Sequence, residues 1–133
     1  NPKFDIRNNS VVETATGILV GGCTQGGTID ESVTVIGPFA FYESEVERIE
    51  FHAGVTEIQD NAFAFSLPKL IISRALVPPA LGITPFQIAN YRGTLKVPQE
   101  AMDAYRTNWM INEIGYLGWS TARWGLVALS EGE

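Results

Sequence analysis

The sequence predicts a β-rich α/β solenoid of short strands and helical turns, closed by a helical C-terminal cap. Three observations predict it. Val33-Thr34-Val35-Ile36 aligns with Val55-Thr56-Glu57-Ile58, Ala40-Phe41 with Ala62-Phe63 and Ile29 with Phe51, all at one offset of 22 residues. Units this short cannot bury an apolar face alone, so neighbours must stack into one continuous core. The 13 glycines and 7 prolines point to frequent turns and few helices. Finally, Ala101, Met102, Tyr105 and Trp109 fall on one face at helical spacing behind Pro98.

Taken in chain order, residues 1–28 form a first unit. Val11-Val12-Glu13-Thr14 and Ile18-Leu19-Val20 read as two strands around a turn at Ala15-Thr16-Gly17. Residues 29–72 hold the two clear repeats. A strand over Val33–Ile36 should set Val33 and Val35 on one side, with Thr34 and Ile36 on the other. Gly37-Pro38 and Gln59-Asp60-Asn61 are turn formers. Each Ala-Phe pair suits a tight helical turn that wedges its ring inside, and second strands follow near residues 49–51 and 70–72.

In this register Ile29, Phe51, Ile72 and Val97 occupy one strand position in successive coils. Residues 73–97 are a degenerate unit, whose Val77-Pro78-Pro79 should interrupt pairing because proline donates nothing to a ladder. Residues 98–133 supply the helix and cap, with a closing strand or hairpin in the aromatic tail.

Composition narrows the function classes. The chain has 133 residues, which places it among single domains; 45% of them are hydrophobic and 18% charged, against disorder. Net charge is −6 with no basic run. Nucleic acids and anionic membrane surfaces draw affinity from Lys and Arg, so neither is an expected partner. No apolar stretch reaches the ~18 residues of a membrane helix, so membrane insertion is not expected. One cysteine, Cys23, makes neither an intrachain disulfide nor a zinc site alone.

Candidate chemistry is sparse. His52 is the only histidine; it reads as a solvent-facing turn residue, and catalysis would need a nucleophile and an orienting acid beside it. Gly21-Gly22 and Gly26-Gly27 lack the lysine and hydroxyl of a phosphate loop, so they read as turns. Glu43, Glu45, Glu47, Glu50, Glu57 and Asp60 form either a solvated acidic face or an acidic docking surface. Trp109, Tyr116, Trp119 and Trp124 crowd the C-terminal quarter with Arg106 and Arg123. Such residues dominate interface hot spots, but a cap over the last coil is the reading they favour. No catalytic residue, metal ligand or cofactor is expected. The candidate partner-binding residues are Glu45, Glu47, Glu50, Trp119 and Trp124.

These phrases together resemble the BspA-like bacterial leucine-rich repeats, whose unit reads V-T-x-I-G-x-x-A-F. The opening Glu13-Thr14-Ala15-Thr16-Gly17-Ile18-Leu19-Val20-Gly21-Gly22-Cys23 is similar to that family's first hairpin. Val77-Pro78-Pro79 is similar to its closing repeat, and Val97-Pro98 through Ala104-Tyr105 to its terminal helix. Glu57 and Gln59 depart from the usual small residue and glycine, and residues 115–133 match nothing in the pattern. The resemblance implies a right-handed leucine-rich-repeat solenoid, with Cys23 packed inside as an inert thiol. It further implies an extracellular or cell-surface location and a non-enzymatic role in protein binding, as in adhesion to a host or community partner. A glycan is the second ligand candidate, in a carbohydrate-binding accessory module. A structural spacer that displays another domain is the third reading. The chain opens inside the resembled unit, so further repeats or a mature N-terminus are expected just before Asn1.

Overall fold

A computed structural model describes residues 3–7, 10–21, 27–64, 66, 68–82, 92–109 and 123–130. Eleven strands among these residues make two sheets. The first sheet contains β1 (Phe4–Arg7), β2 (Ser10–Glu13), β3 (Ile18–Gly21), β5 (Val35–Ile36), β7 (Glu57–Ile58) and β9 (Ala80–Leu81), side by side in that order. It is mixed: β1, β2 and β3 run antiparallel, then β3, β5, β7 and β9 run parallel. The second sheet is parallel throughout. It contains β4 (Gly27–Thr28), β6 (Arg48–Phe51), β8 (Leu70–Ser73), β10 (Arg92–Val97) and β11 (Arg123–Ala128). A 3-10 turn, Gln99–Ala101, leads into one short helix, α1 (Met102–Asn108).

This architecture corrects the expected leucine-rich-repeat solenoid with helical turns. The described residues form a small two-sheet domain, mostly strand, with a single short helix among them. The Ala-Phe segments show why. Ala40, Tyr42 and Ser44 donate to the carbonyls three residues back, while the intervening N–H groups of Phe41 and Glu43 turn sideways to Ala62 and Ala64. A helix needs every N–H along its own axis. Positive φ at Phe39, Glu43 and Asn61 also prevents any helical run there. Nor is the C-terminus a helical cap, because β11 follows α1 and adds a parallel strand to β10.

The 22-residue repeat nevertheless governs the pairing. Val35 pairs with Glu57 and Ile36 with Ile58 in one sheet, and Ile49 pairs with Ile71 in the other. Leu19, Ile36 and Ile58 are fully buried from the first sheet; Ile49, Ile71 and Leu95 meet them from the second. Phe41 and Phe63 stack between the sheets, their rings 4.8 Å apart and 2° from parallel. Phe51 packs edge-on against Phe63 at 5.8 Å.

Two register expectations are corrected. Phe51 pairs with Ser73, so Ser73 rather than Ile72 continues the row toward Val97. Ser73 is buried because Tyr105, also buried, meets its hydroxyl at 2.6 Å and donates to the Ala75 carbonyl at 2.8 Å. The strand expected over Val33–Ile36 is only β5, and Val33 and Ile36 both point inward. A turn at Glu31-Ser32 leads into Val33-Thr34, which lie outside the strand, so strict alternation does not hold across Val33–Ile36.

The first hairpin forms where expected. Its turn needs Gly17 at φ +70, where a side chain would sit 2.8 Å from the Ser32 carbonyl. Pairing lapses through Val77-Pro78-Pro79 and resumes at Ala80. Along the C-terminal helix, Ala101, Tyr105 and Trp109 face inward together.

Candidate functional site

The outward side of the six-stranded sheet carries a continuous row of side chains. Directly paired residues in neighbouring strands share a face. Phe4 pairs with Glu13, Glu13 with Ile18, Ile18 with Val35, Val35 with Glu57 and Glu57 with Ala80. One row therefore crosses the whole sheet, opposite the buried Leu19, Ile36 and Ile58. At ~4.8 Å per strand its five steps span about 24 Å.

Exposure along this row fits a contact surface. Phe4 is 53% exposed; Glu13, Ile18, Val35 and Glu57 are half-buried, and Ala80 is exposed. A second row begins with the paired Ile6, 73% exposed, and Val11. The register shifts between Val11 and Val12, a bulge that leaves Val20 exposed beside them. The two carboxylates in the first row are held by their own segments: Thr16 donates to Glu13 at 3.1 Å and Gln59 to Glu57 at 3.3 Å. Mostly apolar side chains with few, oriented charges are the composition of an interface centre.

A shallow concavity of about 320 Å³ adjoins the strand starts, lined by Ala53, Val55, Thr56, Leu76, Val77 and Pro78. Leu76 and Val77 are largely exposed on its rim.

Of the acids singled out in the sequence, Glu57 lies in the first row, whereas the candidate partner-binding acids Glu45, Glu47 and Glu50 lie elsewhere and are not equivalent. Glu50, on β6, accepts from Arg74 at 2.6 Å and from Arg48 at 3.0 Å. The Arg74 hydrogen bond holds its carboxyl below the ordinary range, aided by Arg48 and opposed by burial. Glu47 faces Lys69 across 3.6 Å of open surface, and Glu45 is exposed. Two of these three acids therefore meet cations of their own chain, which weakens any shared negative field.

Among the tryptophans, Trp109 is core: it is buried, donates from Nε1 to the Pro79 carbonyl at 2.9 Å and packs edge-on against Tyr105. Trp124 belongs to β11 and pairs with Gly93. Trp119, Tyr116 and Cys23 lie outside the described residues.

His52 is half-buried rather than turned to solvent. Its Nδ1 accepts from the Gly54 N–H at 2.9 Å, so Nε2 carries the proton and donates to the Val33 carbonyl at 2.6 Å. It ties one repeat to the preceding one, and among the described residues no nucleophile or acid is bonded to it. Among the described residues no three His, Cys, Asp or Glu side chains converge on a metal-sized site, and no helix is long and apolar enough to cross a membrane.

Sequence reasoning missed β1, although Phe4-Asp5-Ile6-Arg7 alternates apolar and charged residues at strand period. It also missed the aromatic pair Phe39 and Tyr42, both exposed, with rings 5.5 Å apart at 78°. No family model, curated protein or solved structure matches the chain.

Proposed function

We propose that this chain is a non-enzymatic binding module of a bacterial cell-surface or secreted protein, whose six-stranded sheet takes a protein partner on its outward face. The observation that carries the reading is the row Phe4–Glu13–Ile18–Val35–Glu57–Ala80, with Ile6 and Val11 beside it. Contiguous exposed apolar surface rimmed by polar groups marks interaction sites. Strands pinned by pairing present it without ordering anything on contact, which keeps the entropic cost of association low. Kinship with BspA-like surface proteins is part of the same proposal and rests on the repeat phrases and their order along the chain. Adhesion to a host or community protein is the role that kinship favours.

The test places a photo-crosslinking residue at Val35 and, as a control on the other sheet, at Thr28. Each protein is exposed to extracellular proteins of host epithelium or of a bacterial community. Expected is a saturable adduct from position 35, absent from position 28 and abolished by Glu57→Lys. Loss of that adduct on changing Glu45, Glu47 and Glu50 to Ala, with Glu57→Lys silent, would move the contact to the acidic side. Absence of adducts at both positions, with tryptophan fluorescence responding to a glycan panel, would replace the protein partner by a carbohydrate. A silent result in both assays would leave the spacer role.

A further inference from the structure

Two side chains in the outward row of the six-stranded sheet are carboxylates. Direct pairing carries the row from Glu13 on β2 through Ile18 on β3 and Val35 on β5 to Glu57 on β7, and all four are half-buried. Three strand steps of ~4.8 Å set the acids about 14 Å apart. Thr16 donates to one oxygen of Glu13 and Gln59 to one oxygen of Glu57, which orients both acids without neutralising them. Elsewhere Glu50 is matched by Arg74 and Arg48, and Glu47 by Lys69. Among the described residues neither Glu13 nor Glu57 meets a lysine or arginine within ion-pair distance. The row thus sets two oriented negative charges on either side of two aliphatic side chains.

We infer that this row takes an extended segment of the partner, lying across the strands, with basic residues at positions i and i+4 and an apolar residue at i+2. The inference rests on the proposed outward-face contact and names its chemistry. In an extended chain residues i, i+2 and i+4 project to one side, and four residues at ~3.4 Å each advance about 14 Å. The two basic side chains therefore reach Glu13 and Glu57 together. The residue at i+2, about 7 Å from each acid, lands between Ile18 and Val35. A helix fits worse, because about 14 Å takes roughly nine residues at 1.5 Å each, half a turn out of phase with the first. Complementary charges fix register more than they add affinity. The row accordingly reads the spacing of the basic residues rather than their number.

The test uses the full chain with a photo-crosslinking residue at Val35, between the two acids, and capped nine-residue peptides. The matching peptide reads Gly-Gly-Lys-Thr-Val-Thr-Lys-Gly-Gly. Control peptides set the same lysines three apart, on opposite faces, or replace both by glutamine. Expected is an adduct yield from the matching peptide roughly fivefold above either control at low ionic strength, fading as salt is raised. Glu13→Gln with Glu57→Gln, which keeps an acceptor for Thr16 and Gln59, should erase the preference. Glu13→Lys with Glu57→Lys should transfer it to a peptide with glutamate in place of both lysines. If these variants lose the circular dichroism of the unaltered chain, the peptide series on the unaltered chain decides alone. Equal yields from all peptides, or no adduct from any, overturn the inference. In either case adducts at position 35 with extracellular proteins keep the binding face, and their absence removes that reading as well.

Discussion

At the tip of the first repeat Phe39 takes a left-handed backbone, φ 59, and at the matching place in the second Asn61 takes the same one, φ 56. Asparagine adopts that conformation readily; for phenylalanine it is strained. Three residues on, Tyr42 is 43% exposed where Ala64 is buried. Between them the two repeats agree closely: Ala40 and Ala62 are buried, and Phe41 and Phe63 stack ring on ring. What is repeated is the interior, and what diverges is mainly the surface. The turn is dictated by hydrogen bonds between repeats, Phe41 to Ala62 and Glu43 to Ala64, strongly enough to hold a phenylalanine in a conformation it disfavours. Further around the repeat, Phe51 faces Ser73 and Glu50 faces Ile72. There the second copy must also accommodate Tyr105 and the helix that carries it.

The comparison breaks most visibly at the rings. Phe63 touches both Phe41 and Phe51, so Phe63→Ala should destabilise the fold by about 3–5 kcal/mol in urea unfolding. Phe41→Ala should cost no more, since Phe63 is the central ring of the three. A clearly larger loss for Phe41→Ala would contradict the packing order.

Next in size is the Ser73 substitution of the apolar row. Tyr105→Phe removes the hydroxyl that serves both Ser73 and the Ala75 carbonyl. Left unsatisfied, these groups should cost about 1–3 kcal/mol. Burial pushes the Tyr105 hydroxyl up to about 12, only partly offset by the Ser73 hydrogen bond. The folded state therefore resists ionisation more than the unfolded chain does. Stability should be intact below pH 10 and fall as pH rises from about 10 to about 12. Tyr105→Phe should flatten that fall.

A smaller effect of opposite sign is expected at the tip. Phe39→Asn should raise stability by about 1 kcal/mol or less, since relief of backbone strain is partly offset by loss of the edge contact to Tyr42. Asn61→Phe should lower it. Equal responses would show that the two turns are not equivalent.

The smallest effect concerns Glu50, whose carboxyl is held low by Arg74. Its contribution is present above the ordinary carboxylate range and is lost as pH falls through the lowered value. Glu50→Gln should remove that acid-side slope and lower neutral stability by the same small amount, small because Arg74 and Arg48 remain partly in water.

Legibility in the sequence followed physical cause. The offset between repeats was readable because stacked interiors demand the same apolar residues at equal intervals. The first hairpin and the helix behind Pro98 were readable from turn residues and spacing. The helical turns were misread, because the sideways hydrogen bonds of Phe41 and Glu43 depend on a neighbouring repeat that local propensity does not contain. Ser73 was missed because its partner, Tyr105, lies 32 residues away in sequence. Of the candidate face, Val35 and Glu57 were visible as strand residues. Only the register revealed that they share a row with Phe4 and Glu13. The acids at 45, 47 and 50 looked alike in composition, and ion pairing is what separates them.

A double-mutant cycle on Phe41 and Phe63 tests the shared interior most directly. Each ring is replaced by leucine singly and together, and unfolding free energies are compared. Stacked rings predict a coupling of about 0.5–1.5 kcal/mol. Losses that add to within about 0.3 kcal/mol would mean the rings act independently, and the stacked-repeat description would be wrong.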